Sequence, residues 1–236
     1  MNIKITQEEH EYLYANSYIE VVVGSHMYES NDCKSDLDIL LIYDFKEMFG
    51  KQSWKIKSLP NIHQFQYTDS INNVDYLYCT LEQFWKNQRS GDSTINSDII
   101  MFSDEIISDK QEKINHCRTL KVIKAYLGFA ERDIKQYYRG VHKLRHAARG
   151  IYVAKMLMAG FLPLHSEMKS PVKIIQDNYN PDYWLPHLKK ECADARTNLM
   201  RMYENNEIPM YYIPRVGDPL LQKLLDSNNI KEFKYE

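Results

Sequence analysis

Asp36 and Asp38 stand one residue apart at the head of the apolar run Leu37 to Tyr43, and this pairing constrains the chain more than any other feature. In a strand, residues i and i+2 point to the same face, so the two acids share one. Like charges at that spacing repel unless a cation lies between them. Hard divalent cations take oxygen ligands of this kind and keep phosphate oxygens as further ligands. Upstream, the β-branched run Ile19 to Val23 reads as a buried strand and ends at Gly24-Ser25. A Gly-Ser turn offers free backbone N–H groups and a hydroxyl, which suit a phosphate. An isolated D-x-D is common on solvated strand rims. The Gly-Ser turn about ten residues earlier, with apolar strands on both sides, sets this one apart. The unit reads as a metal-assisted phosphoryl or nucleotidyl transfer site.

Such a site needs a third carboxylate, from a neighbouring strand, to act on the attacking hydroxyl and share a metal with the first two. Asp75 fits best, early in the apolar run Val74 to Tyr78, where an acid is costly unless paired or metal-bound. Asp69, Glu82 and Asp44 are the rival acids.

Around these residues the chain divides in character. Thr6, with Glu8 and Glu9 after it, signals a helix over 6–17. The apolar run from Leu37 predicts a second strand, antiparallel to or mixed with the first. Residues 44–61 are polar and broken by Pro60. Gln64 to Thr68 and Val74 to Cys79 read as two strands joined at Asn72-Asn73. A helix follows from Leu81, with Phe84 and Trp85 on its face, and stops at Ser90-Gly91-Asp92. Beyond, three- and four-residue apolar spacing predicts helices over 118–139 and 141–159, the second closed by Gly160 and Pro163. Further helices are expected over 171–178, 186–205 and 218–226. The expected fold is α+β, with a mixed-sheet core over 1–110 and a helical domain over 111–236.

A second constellation lies in Arg139 to Arg149. On a helix, His142, Arg145 or His146, and Arg149 share one face, and Arg139, Lys143 and His146 also follow helical spacing. Arginine grips phosphate oxygens in a bidentate way and lysine acts as a point charge, so this helix suits a triphosphate. An ordinary solvated face is the plainer reading of such a cluster. His26 stands where it could touch a phosphate or simply line a rim. His63, His116, His165 and His187 show no ligand spacing, and Trp54, Trp85 and Trp184 read as core.

Composition narrows the partners. At 236 residues, 44% hydrophobic and 26% charged, the chain reads as a soluble globular protein of one large or two small domains. A net charge of −2 gives no global basic field, which argues against a long nucleic-acid track. Cys33, Cys79, Cys117 and Cys192 lack C-x-x-C spacing, so neither a zinc site nor a redox pair is suggested. With no leader peptide and no long apolar run, a cytoplasmic location away from membranes is expected. The 18 tyrosines read mostly as packing and rim residues.

The order apolar strand, Gly24-Ser25, Ser35-Asp36-Leu37-Asp38, apolar strand resembles the DNA polymerase β-like nucleotidyltransferase superfamily. Within it the chain is most similar to the predicted nucleotidyltransferases found beside RNA ligases. Those have a Gly-Ser-x-x-Tyr-Gly turn, a Ser-Asp-x-Asp strand, and an acid about five residues before a Leu-x-x-Phe helix start. Gly24, Ser25, Tyr28, Ser35, Asp36, Asp38, Asp75, Leu81 and Phe84 match that pattern. Lys143, His146, Ala147, Arg149 and Gly160 resemble the family's later basic helix, with the Lys-to-His spacing one shorter. Glu29 replaces a glycine, and Leu37 stands where an aromatic is common. The resemblance spans roughly residues 19–162.

It implies that Asp36, Asp38 and Asp75 hold two magnesium or manganese ions, and that Gly24, Ser25 and Ser35 cradle the nucleotide phosphates. It implies further that Arg139, Lys143, Arg145, His146 and Arg149 neutralise the triphosphate or hold the acceptor. A nucleoside monophosphate would pass from an NTP to a hydroxyl on an RNA end, a protein or a small molecule, with release of pyrophosphate. The alternative is a non-catalytic, antitoxin-like relative that binds nucleotide or protein. Three retained acids favour the first, because a binding module gains nothing from costly like charges.

Overall fold

Thr6 starts the first helix with a capping box. Its hydroxyl accepts from Glu9 N at 3.2 Å, and the Glu9 carboxylate accepts from Thr6 N at 2.7 Å. The helix, α1, covers Gln7–Ala15. The structure, a computed structural model, describes residues 5–17, 19–27, 37–43, 64–91, 94–104 and 106–212. Four strands follow α1: β1 (Ile19–Val23), β2 (Leu37–Tyr43), β3 (Gln64–Asp69) and β4 (Val74–Thr80). They form one mixed sheet in the order β1-β2-β4-β3. β1 runs antiparallel to β2, β2 parallel to β4, and β3 antiparallel to β4. The fold is α+β, an N-terminal mixed sheet followed by helices, as the hydrophobic pattern implied.

Alternation divides the sheet into two faces. Leu37, Ile39, Leu41 and Tyr43 of β2 join Val74, Tyr76 and Tyr78 of β4 against Tyr12 and Leu13 from α1 and Ile5 just before it. This is a core of large side chains, with Leu13, Leu41, Tyr43 and Tyr78 fully buried. Asp38, Leu40 and Ile42 of β2 and Asp75, Leu77 and Cys79 of β4 therefore line the other face.

His10 connects α1 to the tyrosines of the first face. Its Nδ1 shares a 2.6 Å hydrogen bond with the Tyr78 hydroxyl, and its ring stacks on Tyr67 at 4.2 Å. Desolvation, opposed by the charges of Asp69 and Glu11, holds the imidazole below its ordinary value of 6.5. The unfolded chain then takes up a proton before the folded one does. Stability at this residue is full above about 6.5 and declines as pH falls from there towards the lowered folded value. Urea unfolding at pH 7.5 and 5.5 should show a loss that His10→Gln reduces. An equal loss in the variant would remove His10 from the account.

The β3–β4 hairpin turns through Asn73 at a φ of 56°. Asp69 closes it, accepting from Ile71 N, Asn72 N and Asn72 Nδ2 at 2.9, 3.2 and 2.7 Å. That turn carboxylate pairs in register with Val74, on the opposite face from Asp75, which removes it as a rival for the site. Glu82 lies exposed on the next helix, and Asp44 lies outside the described residues.

The remaining elements are helical: α3 (Leu81–Ser90), α4 (Thr94–Phe102), α5 (Lys110–Cys117), α6 (Leu120–Lys135), α7 (Val141–Met158), α8 (His165–Asp177) and α9 (Pro181–Glu204), with the four-residue α2 (Gly24–Met27) before β2. A 3₁₀ turn at Tyr137–Arg139 separates α6 from α7, so the helix expected to reach residue 139 ends at Lys135. α7 packs along α6, with Gly150 close against Tyr126 and Ala130, and α9 packs on both.

Two helices begin earlier than expected. α8 starts at His165, not at residue 171, because Met168, Val172 and Ile175 make one buried stripe along it. α9 starts at Pro181, not at residue 186. Asn180 Oδ1 caps it by accepting from Asp182 N and Tyr183 N, with Pro181 at the first helical position. Pro186 then sits inside the helix. The helix expected over 218–226 lies outside the described residues.

The contacts form two compact units, dividing between Lys86 and Asn87 inside α3, whereas the sequence placed the division near residue 110. The first unit holds α1, the sheet and α2. The second holds the helices from Asn87 to Tyr212. No helix among the described residues is long and apolar enough to cross a membrane.

Candidate functional site

The first unit places two of the three expected carboxylates together. Asp38 and Asp75 are direct register partners in the parallel β2–β4 pair, both half-buried. Adjacent strands lie about 4.8 Å apart, so the two side chains rise side by side from one face. Thr68, the β3 partner of Asp75, donates from Oγ1 to Asp75 Oδ1 at 2.6 Å. That bond fixes one carboxylate oxygen of Asp75. Val23, the last residue of β1, is the register partner of Asp38, which carries Gly24 to the same edge.

Gly24 is fitted to that position by conformation and by space. Its φ is +68°, a left-handed value that side chains rarely adopt. A Cβ there would fall 2.1 Å from Asp38 Oδ2, so the carboxylate occupies the room a side chain would need. Ser25 follows in α2, and His26 Nε2 is buried without a hydrogen-bond partner among the described residues. Gly24→Ala should displace the Asp38 carboxylate and cost about 1–3 kcal/mol through backbone strain and the clash. Urea unfolding reads the stability loss, and an unchanged midpoint would contradict the close approach.

Asp36 and Ser35, and with them Tyr28 and Glu29, lie outside the described residues. Among the described residues, no group of three or more His, Cys, Asp or Glu side chains is gathered for a metal ion. The pair Asp38 and Asp75 still suits a hard cation. Both are oxygen donors on one face in register, and their like charges are stabilised by a cation between them.

The basic constellation lies in the second unit, where it surrounds a residue the sequence reading passed over. Asp133, on α6, is wholly buried. Lys143 Nζ stands 3.4 Å from its Oδ1, His146 Nδ1 3.5 Å from its Oδ2, and Arg132 Nε 3.7 Å from Oδ1. These are ion-pair distances, longer than good hydrogen bonds. Burial works to raise the Asp133 carboxyl, but His146, Lys143 and Arg132 outweigh it and hold the group below its ordinary value.

Arg139 is exposed, with its guanidinium 5.9 Å from the centre of the Tyr138 ring. His142 is exposed, while Arg145 and Arg149 are half-buried on α7. Lys143 and His146 thus share a carboxylate partner within their own unit. A signal for it was present: Tyr126, Ala130, Asp133 and Ile134 fall on one helical stripe, and an acid on a buried stripe requires cations. Of the residues given no role, His116 is buried and His187 pairs with Glu191 at 3.5 Å. Cys79, Cys117 and Cys192 are buried free thiols.

No family model matches the sequence, and no curated protein matches it.

Proposed function

We propose that the first unit is a metal-dependent nucleotidyltransferase, moving a nucleoside monophosphate from an NTP to a hydroxyl acceptor with release of pyrophosphate. The observation that carries this reading is the register pairing of Asp38 with Asp75, with Gly24 held against Asp38. Two acids rise from one face of this sheet beside Gly24, and a cation between them would offset their like charges. In sequence, Asp36 stands two residues before Asp38.

Asp36, Asp38 and Asp75 would hold magnesium or manganese, which supplies neutralisation of phosphoryl charge and activation of the attacking hydroxyl. Gly24 gives the Asp38 carboxylate room at the end of β1. Asp75, with Oδ1 engaged by Thr68, turns Oδ2 to the acceptor hydroxyl and takes its proton. That hydroxyl attacks the α-phosphorus in line, and pyrophosphate leaves.

Incubation with each of the four NTPs labelled at the α-phosphate, magnesium or manganese, and bulk RNA or cell protein tests the reading. Label joined to an acceptor, with pyrophosphate released in equal amount, is the expected result. No transfer from any nucleotide to RNA, protein or small-molecule hydroxyls would overturn it.

A further inference from the structure

The second unit holds a cluster of its own on α7. His142 and His146 lie one turn apart on α7, with ring centroids 5.9 Å apart. His146 is backed by the buried Asp133 through Nδ1 at 3.5 Å, which leaves Nε2 as its outward nitrogen. Lys143 lies between the two histidines in sequence and shares the same carboxylate. Gly140 at φ +126° opens the helix, and a Cβ there would stand 3.1 Å from His142 Nδ1, so its absence gives that imidazole room. Next to it, Tyr138 is 70% exposed with the Arg139 guanidinium over its ring.

From this arrangement we infer a second activity: metal-independent cleavage of single-stranded RNA, with His142 and His146 as the acid–base pair. RNA carries its own nucleophile, so the protein needs only to remove one proton, supply another, and offset charge at phosphorus. One imidazole takes the proton of a 2′-hydroxyl as that oxygen bonds to the adjacent phosphorus. The other gives its proton to the 5′-oxygen as the P–O5′ bond breaks. The products are a 2′,3′-cyclic phosphate and a 5′-hydroxyl, and the two histidines have exchanged protonation states.

With the Asp133 carboxylate behind its Nδ1, His146 is placed as the acid, and His142 as the base. Partial desolvation, together with the charges of His146, Lys143 and Arg145 and against that of Asp133, pushes His142 below its ordinary value, in the direction a base requires. Lys143 is a cation for the phosphorane charge. Tyr138 and Arg139 offer a stacking surface for an unpaired base. A single strand is required because a paired nucleotide cannot align its 2′-oxygen in line with the leaving oxygen.

The test uses the full chain in excess EDTA with a fluorescent single-stranded RNA and its DNA counterpart. The expected result is cleavage of the RNA alone, leaving cyclic-phosphate and 5′-hydroxyl ends. His142→Gln and His146→Gln should each lower the rate about 100-fold or more. Asp38→Asn should leave it unchanged while abolishing nucleotide transfer, which separates the two readings. His142 is exposed, so His142→Gln has no reason to misfold, and circular dichroism checks this. No cleavage in EDTA, cleavage of the DNA, or cleavage that survives both histidine substitutions would each overturn the inference.

Discussion

Asp38→Asn is expected to lower nucleotide transfer on the order of 10³-fold while leaving the fold intact. Loss of one preorganised charge-stabilising group costs about 10²–10³ in kcat. Asp38 should lie at the upper end, because it is the acid placed against Gly24 and beside Asp75 at once. Asparagine has almost the same shape, so the Gly24 contact survives and only the charge is lost. The effect belongs in kcat more than in KM, since charge develops on the phosphoryl oxygens as the bond to pyrophosphate breaks. Asp75→Asn should match it, and Thr68→Val should cost far less, because it removes one hydrogen bond to Asp75 and no ligand. Steady-state kinetics of label transfer measure all three. A loss confined to KM would make these acids binding groups for the nucleotide, not the centre of the chemistry.

The second large effect is on stability. Lys143→Met is expected to destabilise the helical unit by about 3 kcal/mol, the low end for breaking a buried ion pair. Asp133 is wholly buried and Lys143 only 19% exposed, so removing the ammonium leaves a carboxylate with reduced compensation out of water. His146 and Arg132 remain near Asp133, but their side chains are 38% and 55% exposed and contribute less. The double substitution Asp133→Leu with Lys143→Met should recover most of the loss, because no charge is then buried. Urea unfolding of the four chains gives the coupling directly. Additive losses in the double variant would contradict a paired charge. The Asp133 carboxyl, lowered in the fold, contributes its stability above its ordinary value of 3.8, and that contribution is lost as pH falls through the lowered value.

The sheet was legible because its signals are local. The apolar runs Leu37 to Tyr43 and Val74 to Thr80 mark strands, and the two-residue period of a strand assigns Asp38 and Asp75 to faces. What alternation cannot supply is register. That Asp38 stands beside Asp75, and Asp69 on the opposite face, depends on pairings across the sheet. The helices α4 and α5 carried no amphipathic stripe to find. Asn96, Ser97 and Asp98 of α4 and Lys113 and His116 of α5 are polar yet buried, with Gln88 receiving from Ser97 Oγ at 2.8 Å. An interior built on hydrogen bonds hides from hydrophobic periodicity. Only the Asp109 cap of α5, accepting from Glu112 N at 2.8 Å, was open to reading in advance.

Asp133 shows the same limit in the site residues. The cations of α7 stand out in sequence because they cluster. Their shared partner lies on the preceding helix, alone among apolar residues. Lys143 and His146 read as ligand-binding groups when α7 is taken by itself, and the buried carboxylate they also face comes into view only once α6 is packed against it.

The central claim is that Asp38 and Asp75 hold the metal on which transfer depends. Titration with manganese, followed by the loss of the free-ion paramagnetic resonance signal, tests it most directly, with and without ATP. The account predicts saturable binding to the full chain that ATP tightens, and its loss in Asp38→Asn and in Asp75→Asn with the helix content unchanged. Binding of equal affinity in both variants would contradict it.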